Sequence, residues 1–81
     1  MKQPPSPAAL AALKQELNKT GAEMAELAGV AGGQQWRKYT GGQKPRAMSE
    51  QMLFFIAAQL CLSEEDFEAV CLEADRIRSL G

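Results

Sequence analysis

The sequence predicts an all-α fold in which five short helices form one compact domain. Apolar residues repeat at helical spacing in five separate segments. A serine or threonine that can cap a helix stands before four of these segments. Residues that favour strands are scarce, since the chain has only two Val, two Ile and two Thr. With 81 residues we expect a disordered lead over residues 1–5 and a single helical domain over residues 6–81.

The first helix is predicted to start at Ser6, which can cap it, with Pro7 at the first helical position. Leu10, Leu13 and Leu17 then form an apolar stripe. We expect this stripe to pack across the next two helices.

The second helix begins with a capping box. The Thr20 hydroxyl can accept a hydrogen bond from the Glu23 amide, and the Glu23 carboxylate can accept one from the Thr20 amide. Met24 and Leu27 follow at helical spacing, and Gly29 supplies the left-handed residue that ends such a helix.

A third helix is predicted to start near Gly33 and to stop at Gly41 and Gly42. Trp36 and Tyr39 are three residues apart and are expected to face the core. The remaining side chains of this segment are polar or charged, which leaves a hydrophilic outer surface. Two short helices joined by a glycine-containing turn form a helix-turn-helix, whose second helix suits the major groove of DNA.

The run of residues 20–46 resembles the Xre family of Cro- and phage-repressor-like helix-turn-helix proteins, and the likeness extends over roughly residues 8–63. The matching residues are Thr20, Met24, Ala25, Gly29, Val30, Trp36, Tyr39, Gly42 and Pro45. The chain departs from the family pattern in three places. Position 21 is often glutamine in the family but is Gly21 here, and the residue after the aromatic anchor is usually acidic but is Thr40 here. The turn between the two helices is also one residue longer. The resemblance implies a lambda-repressor-like helix-turn-helix domain that acts as a bacterial or phage transcriptional regulator and binds double-stranded DNA sequence-specifically.

The net charge is only −1, but the charges are unevenly distributed. No acidic residue occurs between Glu26 and Glu50, and this interval contains Arg37, Lys38, Lys44 and Arg46. Such a local positive patch can attract a polyanion even on a weakly acidic protein. The alternative is that these four residues form an ordinary solvated surface.

The candidate base-contacting residues are Gln34, Gln35, Arg37 and Lys38. A glutamine amide matches the major-groove edge of adenine, and arginine or lysine matches that of guanine. The candidate phosphate-contacting residues are Thr20, Gly33, Lys44 and Arg46, and Arg37 and Lys38 could serve the same purpose. The glutamines could instead be solvent-exposed filler, and Trp36 and Tyr39 could instead stack on bases.

The fourth helix is expected to start after Ser49 and the fifth after Ser63. The predicted buried face of the fourth comprises Met52, Leu53, Ile56, Ala57 and Leu60. The predicted inward stripe of the fifth comprises Phe67, Val70, Cys71, Ala74 and Ile77, with Leu72 off the stripe and exposed. Phe54 and Phe55 are adjacent, so they cannot both point fully inward. We therefore expect a homodimer formed through the fifth helix and one of these phenylalanines.

The chain has two cysteines and no histidine, so we expect no structural metal site and no cofactor. One disulfide is conceivable, but Cys61 and Cys71 fall on apolar segments and are expected to be core or near-core thiols.

No phosphate loop and no nucleophile with a recognisable base is present, so we do not expect an enzyme or a small-molecule substrate. The longest apolar run, MLFFIAA, is too short to cross a membrane, which makes the cytoplasm the default location. The alternative function is a helical protein–protein interaction module that does not bind DNA.

Overall fold

The computed structural model describes residues 3–81 and contains five α-helices in that part of the chain. They are α1 (Pro7–Leu17), α2 (Gly21–Ala28), α3 (Gly33–Thr40), α4 (Glu50–Cys61) and α5 (Glu64–Arg78). The described residues form no strand, so the prediction of an all-α, five-helix domain is confirmed. Residues 1 and 2 of the predicted lead lie outside the described residues, and residues 3–5 have no regular secondary structure. Within residues 3–81, no helix combines the length and the apolar character needed to cross a membrane.

The predicted caps are present at four helix starts. The hydroxyl groups of Ser6, Thr20, Ser49 and Ser63 each accept a hydrogen bond from the amide three residues further on, at 3.1–3.2 Å. Each cap satisfies an amide that has no partner inside its helix. At the end of α2, Gly29 adopts a φ of 76°, a left-handed conformation that an L side chain would strain.

The core lies between α1, α2 and α3, with additions from the following segments. Its buried residues are Leu10, Met24, Ala25, Leu27, Ala28, Trp36, Tyr39, Met48 and Ile56. Helix α2 is central, because it packs against both α3 and α4, while α1 packs against α3. Leu10 is buried and Leu13 and Leu17 are half-buried against the core, in agreement with the predicted leucine stripe.

The predicted buried face of α4 is wrong in part. Ile56 is buried and Met52 and Leu53 are half-buried, but Ala57 and Leu60 are exposed. Helix α4 packs closely only against α2, which covers one side of it.

The predicted inward stripe of α5 is also wrong, since no residue of this helix is buried. Phe67 and Ala74 are half-buried, whereas Val70, Cys71 and Ile77 are exposed. The ring of Phe67 lies 6.2 Å from that of Phe55 between centroids, but α5 has few other contacts with the rest of the chain. Helical spacing creates an apolar face without supplying a neighbour to cover it.

The two cysteines are free and exposed, so the expectation of core thiols is wrong. Cys61 is the last residue of α4, and Cys71 lies on the uncovered face of α5.

Candidate nucleic-acid interface

Helices α2 and α3 begin side by side. A Cβ atom on Gly33 would lie 3.4 Å from the Ala22 nitrogen and 3.5 Å from the Gly21 carbonyl carbon. This close approach brings together two helix N-termini, each of which carries partial positive charge. A Cβ atom on Gly21 would lie 3.8 Å from the Gly33 Cα atom, which is an ordinary van der Waals distance.

The N-terminus of α2 has the predicted capping box. The Thr20 amide donates to the Glu23 carboxylate at 2.8 Å, and the Glu23 amide donates to the Thr20 hydroxyl at 3.2 Å. The bond from the Thr20 amide lowers the pKa of Glu23, with further lowering from the Thr20 side chain and the charge of Lys19. The carboxylate is therefore held against the backbone of Thr20, where it neutralises part of the positive helix end.

The N-terminus of α3 is different, because no side chain caps it. The N-cap residue is Gly32, and the first hydrogen bonds to its carbonyl come from the amides of Gln35 and Trp36. The amides of the first turn, at Gly33 and Gln34, point away from the helix without a side-chain acceptor. An uncapped helix start of this kind attracts anions such as phosphate.

The orientation of α3 matches the prediction. Trp36 is 1% exposed and Tyr39 is 7% exposed, so both rings belong to the core and are not available to stack on bases. Gln34, Arg37 and Lys38 are exposed on the opposite side, while Gln35 is half-buried. The buried aromatic pair therefore fixes which side chains of α3 face the solvent.

The segment after α3, which we call the basic loop (residues 41–46), turns back onto the end of that helix. The Arg46 amide donates to the Lys38 carbonyl at 2.6 Å, and Gly42 adopts a φ of 85° that permits the turn. Two residues further on, Met48 is buried in the core. The loop is thus held at both ends beside the exposed side of α3.

Helix α3 and the basic loop together form an open groove of about 610 Å³. Its cationic lining residues are Arg37, Lys38, Lys44 and Arg46, and its polar lining includes Gln34, Thr40 and Gln43. Both ion pairs of the described residues lie within α5, so none of these four cations is neutralised by a carboxylate. The groove is therefore a concentrated site of positive charge on a chain whose net charge is −1.

The predicted site residues fall into two neighbouring groups. Gln34, Arg37, Lys38, Lys44 and Arg46 line the groove. Thr20 and Gly33 lie at the paired starts of α2 and α3, and the Arg37 guanidinium lies 3.7 Å from the position of a Cβ on Gly33, which links the two groups. Gln35 does not line the groove.

Two features of this surface are not predicted from the sequence. Gln43 lines the groove and could have been found as a polar residue between Gly42 and Lys44 in a basic segment. Met48, which anchors the basic loop, follows a proline-containing loop and precedes a helix cap, so no periodic pattern identifies it as a core residue.

No protein-family model, no curated protein and no solved structure matches the chain.

Proposed function

We propose that the chain binds double-stranded DNA sequence-specifically and regulates transcription in the manner of bacterial or phage regulators of the Xre type. In this proposal α3 enters the major groove, and the basic loop contacts the flanking phosphates. The observation that supports it best is the burial of Trp36 and Tyr39, because it turns Gln34, Arg37 and Lys38 outward beside the cationic groove. A helix presented in this way next to unneutralised cations suits a polyanionic duplex.

Base recognition is assigned to the exposed side of α3. Gln34 lies in its first turn and is exposed, so its amide can reach the edge of an adenine. Arg37 and Lys38 are exposed one turn further along, where each can contact a phosphate or can instead reach a guanine. Gln35 is half-buried and therefore takes a secondary role at the rim of this contact.

Phosphate binding is assigned to the surroundings of α3. Lys44 and Arg46 provide charge from the basic loop, and the uncapped amides at Gly33 provide neutral donors. Thr20 lies at the start of α2, next to the start of α3, and remains a candidate for a phosphate contact there.

The salt dependence of binding to a short duplex tests the electrostatic part of the proposal. If the four cations each neutralise one phosphate, the slope of log K against log salt is about −3.6 per copy. We expect the double substitution Arg37→Ala and Lys38→Ala to keep the fold and to reduce the slope to about −1.8. Fluorescence anisotropy of a labelled duplex at several salt concentrations measures both slopes.

Two single variants separate local charge from net charge. Lys44→Ala removes one cation from the groove and should reduce the slope by about 0.9. Lys14→Ala removes the same charge from α1, and its slope should stay near that of the wild type. Equal losses in these two variants, or no binding at low salt, would contradict the proposal.

Sequence preference is tested separately from affinity. Gln34→Ala should relax the preference at one base pair and cost about 1–3 kcal/mol on the preferred site alone. Lys44→Ala should weaken binding to preferred and random duplexes by a similar factor. Selection of bound duplexes from a random pool, followed by titration with each variant, distinguishes the two effects.

The alternative proposal is a helical protein–protein interaction module that does not bind DNA. It is favoured by the exposed apolar side chains of α4 and α5, among them Phe54 and Val70. Failure of the chain to bind heparin and duplex DNA at low salt would favour this alternative.

A homodimer is part of the DNA-binding proposal. One copy offers few phosphate contacts, and a second copy doubles them and sets the spacing of two half-sites near one turn of DNA. The adjacent Phe54 and Phe55, 65% and 42% exposed, support an association through this part of the chain.

A further inference from the structure

We infer that the groove between α4 and α5 binds an amphipathic, positively charged helix of a partner protein. The groove is separate from the candidate nucleic-acid interface, so the inference goes beyond the proposed function and does not rest on it. The partner is identified by its chemistry. It is a helix with large apolar side chains on one face and lysine or arginine at the edges of that face.

The α4–α5 groove has a volume of about 470 Å³ and one helix on each side. Helix α4 contributes Phe54 and Phe55, and helix α5 contributes Phe67 and Val70. The rings of Phe55 and Phe67 lie 6.2 Å apart between centroids and connect the two sides. Phe54 is 65% exposed and Val70 is 50% exposed, so two large apolar side chains are open to another molecule.

A helix suits this groove better than an extended segment does. The lining residues of α5 run from Phe67 to Arg78, about 16 Å along the axis, which is about three helical turns. A bound helix satisfies its own backbone hydrogen bonds, whereas an extended segment needs partners for its amides and carbonyls. The groove is walled by two helices and offers no strand edge to such a segment. The expected occupant therefore inserts apolar side chains spaced three and four residues apart.

The charge beside the groove is negative. Helix α5 contains six carboxylates and two arginines, and both arginines are already paired within the helix, with Glu73 and Asp75. The other four carboxylates lie in the N-terminal half of α5, and no ion pair of residues 3–81 includes them. Seven acidic and two basic residues give residues 50–78 a net charge of −5, whereas the whole chain has −1. This surface is complementary to a positively charged occupant.

Two of the four carboxylates flank the groove. Helical spacing puts Glu64 and Glu68 on the same stripe of α5 as Asp75, which lines the groove. Both glutamates are exposed, so they can pair with lysine or arginine side chains at the edge of the apolar face of an occupant. Glu65 falls on the opposite side of α5 by the same spacing.

The other possible occupants are opposed by the same charge. Duplex DNA and an anionic membrane would be repelled by the carboxylates. A second copy of the chain would bring a segment of charge −5 against the identical segment. The homodimer of the proposed function would also cover Phe54 or Phe55, so a partner helix and a second copy compete for these residues. Charge favours the partner helix in that competition.

The probe is a capped, labelled peptide of about 15 residues, with leucines spaced three and four residues apart and lysine or alanine elsewhere. One matched peptide has glutamate in place of lysine. Another has the composition of the lysine peptide in an order that creates no apolar face. Fluorescence anisotropy without DNA should show that the lysine peptide binds at least about 10-fold more tightly than either, because it alone matches both the apolar groove and its charge.

A pair of substitutions tests the surface. Val70→Lys introduces a cation into the groove and should weaken binding of the lysine peptide by more than about 10-fold. Leu72→Lys changes the net charge equally, at a residue that is 62% exposed and does not line the groove. It should leave the dissociation constant within about threefold of the wild type. Both variants should keep their helical circular dichroism, because neither side chain is buried.

A second pair tests the charge. Glu68→Lys should weaken binding of the lysine peptide by about three- to tenfold, because an attraction at the edge of the groove becomes a repulsion. The same variant should bind the glutamate peptide more tightly than the wild type does. Glu65→Lys, on the opposite side of α5, changes the net charge equally and should stay within about twofold of the wild type.

Hydrogen exchange locates the bound peptide. The lysine peptide should slow exchange in residues 64–78 and leave residues 33–46 unchanged. Protection in α3 instead, no binding at about 100 μM, or equal binding of the three peptides would overturn the inference. Equal losses with Val70→Lys and Leu72→Lys would also overturn it.

Sedimentation identifies a competing second copy. A dimer that the lysine peptide does not dissociate would overturn the inference, because a second copy would then hold the groove. Peptide binding that passes all of these tests in a chain that does not bind DNA would support the inference and refute the proposed function.

Discussion

Helices α2 and α5 use the same local signals with opposite results. Helix α2 and helix α5 both start with a side-chain cap, and both carry apolar residues at helical spacing. Four of the eight residues of α2 are buried, whereas none of the fifteen residues of α5 is buried. Local signals determine where these helices begin. Burial depends on whether another element covers the apolar face, and within residues 3–81 no element packs closely over that face of α5.

The largest difference between the two regions should appear on truncation of an apolar side chain. Trp36→Ala should lower the free energy of unfolding by about 3–5 kcal/mol, because it empties the centre of the core. A domain of this size is stable by only about 4–12 kcal/mol, so this loss removes a quarter or more of its stability. Leu72→Ala, on the exposed side of α5, should change stability by less than about 0.5 kcal/mol. Urea unfolding followed by circular dichroism measures the free energy of unfolding of both variants. Equal losses in Trp36→Ala and Leu72→Ala would mean that the core and α5 contribute equally to stability, contrary to the expectation.

A smaller effect should distinguish two glycines at helix ends. Gly29→Ala should cost about 1–2 kcal/mol, because Gly29 has a φ of 76°. The new Cβ would also lie 3.3 Å from the Phe55 ring, which must shift slightly. Gly41→Ala is the control, since Gly41 has an extended backbone and a nearest neighbour at 3.9 Å. The melting temperature of the Gly41→Ala variant should stay close to that of the wild type. If it falls as far as that of Gly29→Ala, the left-handed backbone of Gly29 is not the cause of the destabilisation.

Removing a helix cap should have different consequences in the two regions. Thr20→Ala should cost about 1 kcal/mol and lower the melting temperature by about 4–8 °C, because α2 is part of the core. Ser63→Ala should fray α5 locally and leave the main melting transition almost unchanged. Hydrogen exchange of the Ser63→Ala variant should be faster than that of the wild type in residues 64–68 alone. A large fall in melting temperature with Ser63→Ala would mean that α5 is folded cooperatively with the core.

The smallest effect is the pH dependence of the α2 cap. The pKa of Glu23 is lowered from its usual value of 4.5, chiefly by the bond from the Thr20 amide. A carboxyl with a lowered pKa stabilises the folded state above its unfolded pKa, and this stabilisation is lost as the pH falls through the folded pKa. The difference in melting temperature between the wild type and Glu23→Gln should therefore be present near pH 7 and shrink below about pH 4.5. A difference that does not change with pH would contradict this role of the carboxylate.

The sequence predicts the helix starts well because the signals for them are local. Ser6, Thr20, Ser49 and Ser63 bond to amides three residues away, so the capping residue and its partner can be read together. The inward orientation of Trp36 and Tyr39 is predicted for the same reason, since helical spacing over one turn identifies the face they share.

The unpredicted features depend on contacts between distant residues. Gln59 is an example, because its side-chain amide donates to the Leu27 carbonyl at 2.6 Å and joins α4 to the end of α2. Nothing in the neighbouring sequence indicates this bond. The exposure of Cys71 and Val70 is likewise not predicted from the sequence. An apolar stripe has the same helical spacing whether it packs against its own core or is left exposed.

The candidate site combines features that local sequence predicts with features that depend on contacts between distant residues. The polar face of α3 is predicted from spacing, and the cations of the basic loop are visible in the sequence. Their convergence depends on the bond from the Arg46 amide to the Lys38 carbonyl and on the burial of Met48, neither of which follows a periodic pattern. The groove is therefore a property of the folded chain.

The most direct measurement is an NMR titration of the labelled protein with a random duplex at low salt. We expect chemical-shift changes to concentrate in residues 33–38 and 44–46, while residues 64–78 stay almost unchanged. Shift changes concentrated in α5, or none in α3 and the basic loop, would contradict the claim that the buried aromatic pair turns a DNA-binding surface outward.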